Sequence, residues 1–153
     1  MKKLAMTLLL ICVGCGVYAQ SADDLFKEFA TEKNAECITI SSPVIKWVGQ
    51  MIPLTNGRWT ANVSSIRVLD MDECLPSTKE RFSRKAARIN LDGYEELMRV
   101  KDDDDRVRIL MKQKKGVVHE ILLLKYGKDD CTLIQAQGQI TKKDVNQLVA
   151  MND

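Results

Sequence analysis

The chain has 153 residues, with 23 Lys and Arg against 21 Asp and Glu, one His, five Cys, 45% apolar and 5% aromatic residues. That length holds one ordinary globular domain, and the balanced charge and apolar fraction exclude intrinsic disorder, a collagen-like chain, a coiled coil and a polytopic membrane protein. No nucleophile–base motif, phosphate loop or metal-ligand spacing specifies chemistry.

The N-terminus alters these numbers. Met1-Lys2-Lys3 is a positive n-region, Leu4 to Val17 is an apolar run of signal-peptide length, and Val17-Tyr18-Ala19 presents a cleavage site. The expected domains are therefore a signal peptide over residues 1–19 and a single α+β domain over 20–153, with cleavage between Ala19 and Gln20. A membrane span is the weaker reading, because Gly14 and Gly16 interrupt the run and roughly 20 apolar residues are needed to cross a bilayer. Gly14-Cys15 offers a lipidation site, but Cys12 stands where such a motif has Leu. Simple secretion to the periplasm leads, and lipid anchoring on Cys15 is the alternative.

Removing residues 1–19 leaves 134 residues, and the loss of Lys2 and Lys3 takes the formal charge from +2 to zero. Nucleic-acid binding then has no electrostatic basis, and no transmembrane span remains. Cys37, Cys74 and Cys131 are left. In an oxidising compartment at most one intramolecular disulfide forms, by any of three pairings, and one thiol stays free. Three buried reduced thiols satisfy the sequence equally well.

Ser21 with Asp24 is a capping-box pattern, and Leu25, Phe26 and Phe29 follow at helical spacing, which predicts a helix from Ser21 to about Asn34. Glu36 to Ser41 alternates as a short strand, with Ile38 and Ile40 on one face. Ser42-Pro43 then opens a helix carrying Val44, Ile45, Trp47, Val48, Met51 and Ile52, which Pro53 ends before an Asn56-Gly57 turn. Ser64 to Met71 reads as a second strand, and the helix between the two strands predicts a parallel crossover. Pro76-Ser77 opens a third helix with Phe82, Ala86 and Ile89 as its apolar stripe, and Asp92-Gly93 stops it.

From Tyr94 the period becomes two. Tyr94 to Val100, Arg106 to Lys112, Val117 to Tyr126 and Cys131 to Gly138 read as an antiparallel meander, because short polar links separate them. Val107, Ile109 and Met111 alternate with Arg106, Arg108 and Lys112, so the basic side of that strand is expected to face water. Ile121-Leu122-Leu123-Leu124 marks the next strand as central. Thr141 with Asp144 repeats the capping box, and Val145, Leu148 and Val149 complete a final amphipathic helix. The predicted fold is one α+β domain with a mixed sheet, in the order αβαβαββββα.

That order, with Asp24-Leu25-Phe26-Lys27-Glu28-Phe29, Cys37-Ile38-Thr39-Ile40-Ser41, a basic helix, and a meander ending Leu133-Ile134-Gln135-Ala136-Gln137-Gly138-Gln139-Ile140, resembles the family called domain of unknown function 4252. Its members look like small exported proteins of Gram-negative gut bacteria, often with lipoprotein-type signals. The resemblance implies an exported, periplasmic or envelope-associated protein and brings no activity, cofactor or site residue with it.

The candidate sites follow from the residues themselves. His119 is the only histidine. A thiol-dependent or small-ligand site would need one of Cys37, Cys74 or Cys131 beside it, whereas its place on a strand with Ile121 and Leu123 predicts a half-buried sheet histidine. Asp102 to Asp105 gathers four carboxylates without EF-hand spacing, which predicts a solvated hairpin tip rather than a calcium site. No catalytic residue, metal or cofactor is expected. Arg81, Arg84, Lys85 and Arg88 form a basic stripe on the third helix, suited to an anionic surface or acidic partner. Trp47, Met51 and Ile52 make the second helix broader in apolar surface than one packing stripe needs, as an interface anchor would. The functional expectation is a non-catalytic exported module that binds a protein or an envelope surface through these two helices.

Overall fold

The Ser21 hydroxyl accepts a hydrogen bond from the Asp24 amide at 3.2 Å, and the Asp24 carboxylate accepts one from the Ser21 amide at 3.0 Å. This closed capping box opens the first helix of the computed structural model, which describes residues 20–51, 62–141 and 143. The bonds from the Ser21 backbone and side chain hold the Asp24 carboxyl below its ordinary range. Helix α1 runs Ala22–Phe29, shorter than its predicted extent, because the apolar spacing stops at Phe29 and Asn34 turns the chain with φ +66°. Then come β1 (Glu36–Ser41), α2 (Ser42–Met51), β2 (Val63–Asp70) and α3 (Pro76–Ala87). The meander follows as β3 (Glu95–Asp102), β4 (Asp105–Lys114), β5 (Val117–Tyr126) and β6 (Thr132–Thr141). The predicted final helix lies outside the described residues.

The strands form one six-stranded sheet in the order β1-β2-β6-β5-β4-β3, antiparallel at every pairing. The meander and the central position of β5 agree with the sequence. The parallel crossover and the mixed sheet do not, since β1 pairs with β2 antiparallel from Glu36↔Asp70 to Ser41↔Ser65. The intervening chain is long enough for either geometry, so strand composition decides. Parallel strands are covered on both faces and read as continuous apolar runs, whereas Thr39, Ser41, Ser65 and Arg67 give β1 and β2 one polar face. β2 then takes its second neighbour from β6, in the register Leu69↔Leu133.

Helices α1 and α3 lie on one face, over Leu69, Leu110, Leu122, Leu124 and Leu133. Leu25, Phe26 and Phe29 from α1 and Phe82 and Ala86 from α3 are buried there, with the Phe29 and Phe82 rings edge to face at 5.2 Å. A second cluster, Ile45 of α2 with Val63, Met111, Val118 and Ile140, fills part of the other face. It exists because the pairing shifts by one residue in a line across the sheet, at Val63/Ser65, Lys112/Gln113 and Val118/Glu120. Such a bulge turns a strand's side chains to the opposite face, which moves Val118 away from Leu122 and toward Ile121.

A polar chain crosses the helix-covered face. Asp23 and Gln135 both accept from Arg67, the Gln135 bond from Nε being 2.9 Å, and the Gln135 amide donates to the buried Glu120. The Arg67 guanidinium also lies 4.2 Å from the centre of the Phe26 ring. These contacts satisfy polar groups that would otherwise oppose burial.

Candidate functional site

Helix α2 presents Trp47 outward, 60% exposed, with Val44 also exposed, while Ile45 on its opposite side is buried. Helical spacing explains the split: Val44 and Trp47 are three residues apart and share a side. Ile38, on the strand that leads directly into α2, is 53% exposed. Met51 closes the helix without its side chain being described, and Ile52 lies outside the described residues, as do Ala19 and Cys15. Gln20, on the other side of the expected cleavage site, is half-buried, and its amide donates to Glu28 at 3.0 Å.

The basic stripe of α3 is divided by its surroundings. Arg81 and Lys85 face α1, where Arg81 pairs with Glu32 and Lys85 with Glu28. Burial acts to raise the Glu28 carboxyl, but its bonds from Lys85 and Gln20 and the nearby Arg81 hold it below the ordinary range. These two cations therefore tie the helices together. Arg84 and Arg88 remain exposed, with no ion pair among the described residues.

Arg84 borders a cleft of about 670 Å³, together with Glu80, Ser83, Ala87, Asp104, Arg106, Tyr126 and Lys128. Ala87, Arg106 and Tyr126 also line an adjoining cleft of about 260 Å³ with Arg99, Lys101 and Arg108. The strand face expected to be wet is thus the helix-covered one. Arg108 is only 7% exposed, and its Nε donates to Glu96 at 2.9 Å. That pairing compensates burial of the guanidinium, while Val107 and Ile109 occupy the other, half-exposed face. Arg106, Tyr126 and Lys128 are site-lining residues that sequence reasoning missed. Arg106 carried a signal in its alternation, but only the register Arg106↔Tyr126 and Lys101↔Arg106 shows which face it joins.

Gly127 shapes the end of this cleft. A side chain there would meet the Asp105 carboxylate at 2.0 Å and the Asp104 carbonyl at 2.8 Å, so its absence lets the β3–β4 turn close against the β5–β6 turn. Asp102 to Asp105 forms that β3–β4 hairpin tip, with Asp103 at φ +46°. Among the described residues no group of three or more His, Cys, Asp or Glu side chains is placed to hold a metal ion.

His119 is exposed rather than half-buried, because it falls at the bulge between Val118 and Glu120. It lines a polar cleft of about 500 Å³ with Asn62, Ser64, Gln137, Gly138 and Gln139, and no cysteine. Cys37 lies across from Leu69, Leu133 and Leu124 in successive strands, three strands over and five residues along from His119. Standard strand dimensions put the two about 20 Å apart. The arrangement required for a thiol site at His119 is not formed.

The three cysteines differ in access. Cys37 is exposed, whereas Cys74 and Cys131 are buried and unpaired. Burial pushes both buried thiols up in pKa, Cys131 despite its contacts with Ser83 and Gly127. Alkylation of the native protein followed by peptide mass spectrometry is expected to label Cys37 first, with Cys74 and Cys131 reacting only as denaturant is added. Labelling of Cys131 at the rate of Cys37 would contradict this burial.

The described residues thus form an α+β protein whose antiparallel sheet carries two helices on one face and a cation-bordered cleft at one end. The chain belongs to the family described as domain of unknown function DUF4252, which matches over residues 27–148. No curated protein and no solved structure matches it. No activity is assigned to this family, and among the described residues no helix is long and apolar enough to cross a membrane.

Proposed function

We propose that the protein is an exported, non-catalytic binding module, periplasmic or envelope-associated, that engages a protein or envelope surface through the apolar side of α2. The carrying observation is Trp47, a large apolar side chain left exposed beside Val44 on a helix whose opposite side is already packed. Large aromatic side chains in such positions supply most of the energy of many interfaces.

The neighbouring sheet edge supports the same surface. The outer strand β3 carries Glu95, Glu96, Arg99, Lys101 and Asp102 and a register shift, devices that discourage strand addition. The opposite outer strand β1 pairs without a shift and has one charged residue, Glu36. Export rests on the N-terminal pattern; mass spectrometry of the cell-derived protein should find Gln20 as its first residue, and a lipid-modified Cys15 would select the anchored alternative.

The binding test compares purified protein with its Trp47→Ala variant for self-association, retention on envelope extract and sedimentation with anionic vesicles. Trp47→Ala should weaken the interaction at least tenfold, about 1.4 kcal/mol, while the exposed side chain's removal leaves the melting temperature nearly unchanged. No self-association and no binding to either preparation, with Trp47→Ala altering stability alone, would rule the proposal out.

A further inference from the structure

The paired clefts beneath α3 are bordered by cations from several elements of the fold. Tyr126 is 7% exposed and borders both clefts. Arg84 from α3, Lys101 from β3, Arg106 from β4 and Lys128 from the β5–β6 turn stand around it, none in an ion pair among the described residues. Arg99 and Arg108 add two further cations but share Glu96. Glu80 and Asp104 are the acidic residues bordering the larger cleft.

The directions from which these donors come limit what they fit. A carboxylate offers two coplanar oxygens that a single guanidinium fork can satisfy, whereas a phosphoryl group offers three acceptor oxygens and up to two negative charges. Cations from four separate elements, with a hydroxyl donor between the clefts, match the second pattern. Pro76, Ala87 and the Tyr126 ring provide apolar surface for the organic part of the same molecule.

We propose that Arg84, Lys101, Arg106, Lys128 and the Tyr126 hydroxyl form a binding site for the phosphoryl group of a phosphate monoester with an apolar substituent. The site uses no residue of α2 and stands independently of the Trp47 surface. The shared chemistry could be presented by a soluble monoester or by a phosphomonoester lipid headgroup.

Calorimetry with phenyl phosphate, with benzoate as the carboxylate control, tests it at low salt. Phenyl phosphate should bind at least tenfold more tightly than benzoate. Arg106→Gln should weaken it tenfold or more, and Arg84→Gln, on an exposed helix side where folding is not at stake, severalfold. Tyr126→Phe should weaken it severalfold, with circular dichroism confirming an unchanged fold. Arg88→Gln, at the C-cap of the same helix but outside both clefts, should leave binding unaltered. Sedimentation with vesicles containing phosphatidic acid distinguishes the sources. Binding in excess of that to phosphatidylglycerol vesicles of equal charge, abolished by Arg106→Gln, assigns the site to a lipid headgroup, and no such excess, with phenyl phosphate still bound, assigns it to a soluble ligand. No phenyl phosphate binding, equal affinity for benzoate, or equal loss in Arg88→Gln would overturn the proposal.

Discussion

Phe82→Ala is expected to cost about 3–5 kcal/mol of folding stability, the range for removing a fully buried aromatic side chain. Phe82 is 0% exposed, meets Phe29 edge to face, and joins α3 to both α1 and the sheet leucines. Against a total stability of roughly 5–15 kcal/mol for a domain of ordinary size, this is a large fraction. Urea denaturation should show it as a lower midpoint with an unchanged slope, since the cavity destabilises the native state without altering the surface exposed on unfolding. Leu75→Ala, one residue before the same helix but exposed, should change stability by less than about 0.5 kcal/mol. A loss below about 1 kcal/mol for Phe82→Ala would mean that α3 does not anchor the core.

Among the described glycines, Gly138→Ala should be the most disruptive substitution. A Cβ there would stand 2.2 Å from the Asn62 carbonyl oxygen and 2.9 Å from the Val63 Cα. These are backbone atoms, so no side-chain rotation relieves the overlap and the start of β2 must move. Overpacking of this kind costs about 1–3 kcal/mol, or more where backbone must shift. The hydrogen bond from the Gln139 amide to the Asn62 carbonyl, 2.9 Å in the native protein, should lose its protection in amide exchange. Gly116→Ala is the instructive comparison. Nothing lies near its Cβ, but its φ is +77°, so it should cost only the conformational penalty of roughly 1–2 kcal/mol. Equal exchange behaviour of Gln139 in wild type and Gly138→Ala would show that the bulge tolerates a side chain.

Local features of this chain were legible because they depend on residues close in sequence. Ser21 and Asp24 placed the first helix start, the Glu36–Ser41 alternation matched β1 at both ends, and Val117–Tyr126 matched β5. The meander followed from the shortness of its links. The bulges were not legible, because the side-chain period of two carries no mark of where an extra residue enters. Val118 therefore took the opposite face from the one that simple alternation assigns, and His119 came to be exposed.

The candidate sites divide along the same line. Trp47 was visible as excess apolar surface on one helix, and its exposure depends on α2 burying only the Ile45 side. The basic stripe was visible as spacing, but Arg81 and Lys85 are occupied by Glu28 and Glu32, residues some fifty positions earlier. By itself the sequence determined the α+β class and most of the described elements, which follow from composition and near-neighbour periodicity, and its motif order carried the resemblance to the family that the chain belongs to. The tertiary structure alone decided that β1 and β2 run antiparallel, that Arg106 and Arg108 lie under the helices, and that Tyr126 borders clefts lined by cations from four elements. Those outcomes depend on pairing and register between distant segments, and one residue of slip would have turned each strand's side chains to the other face.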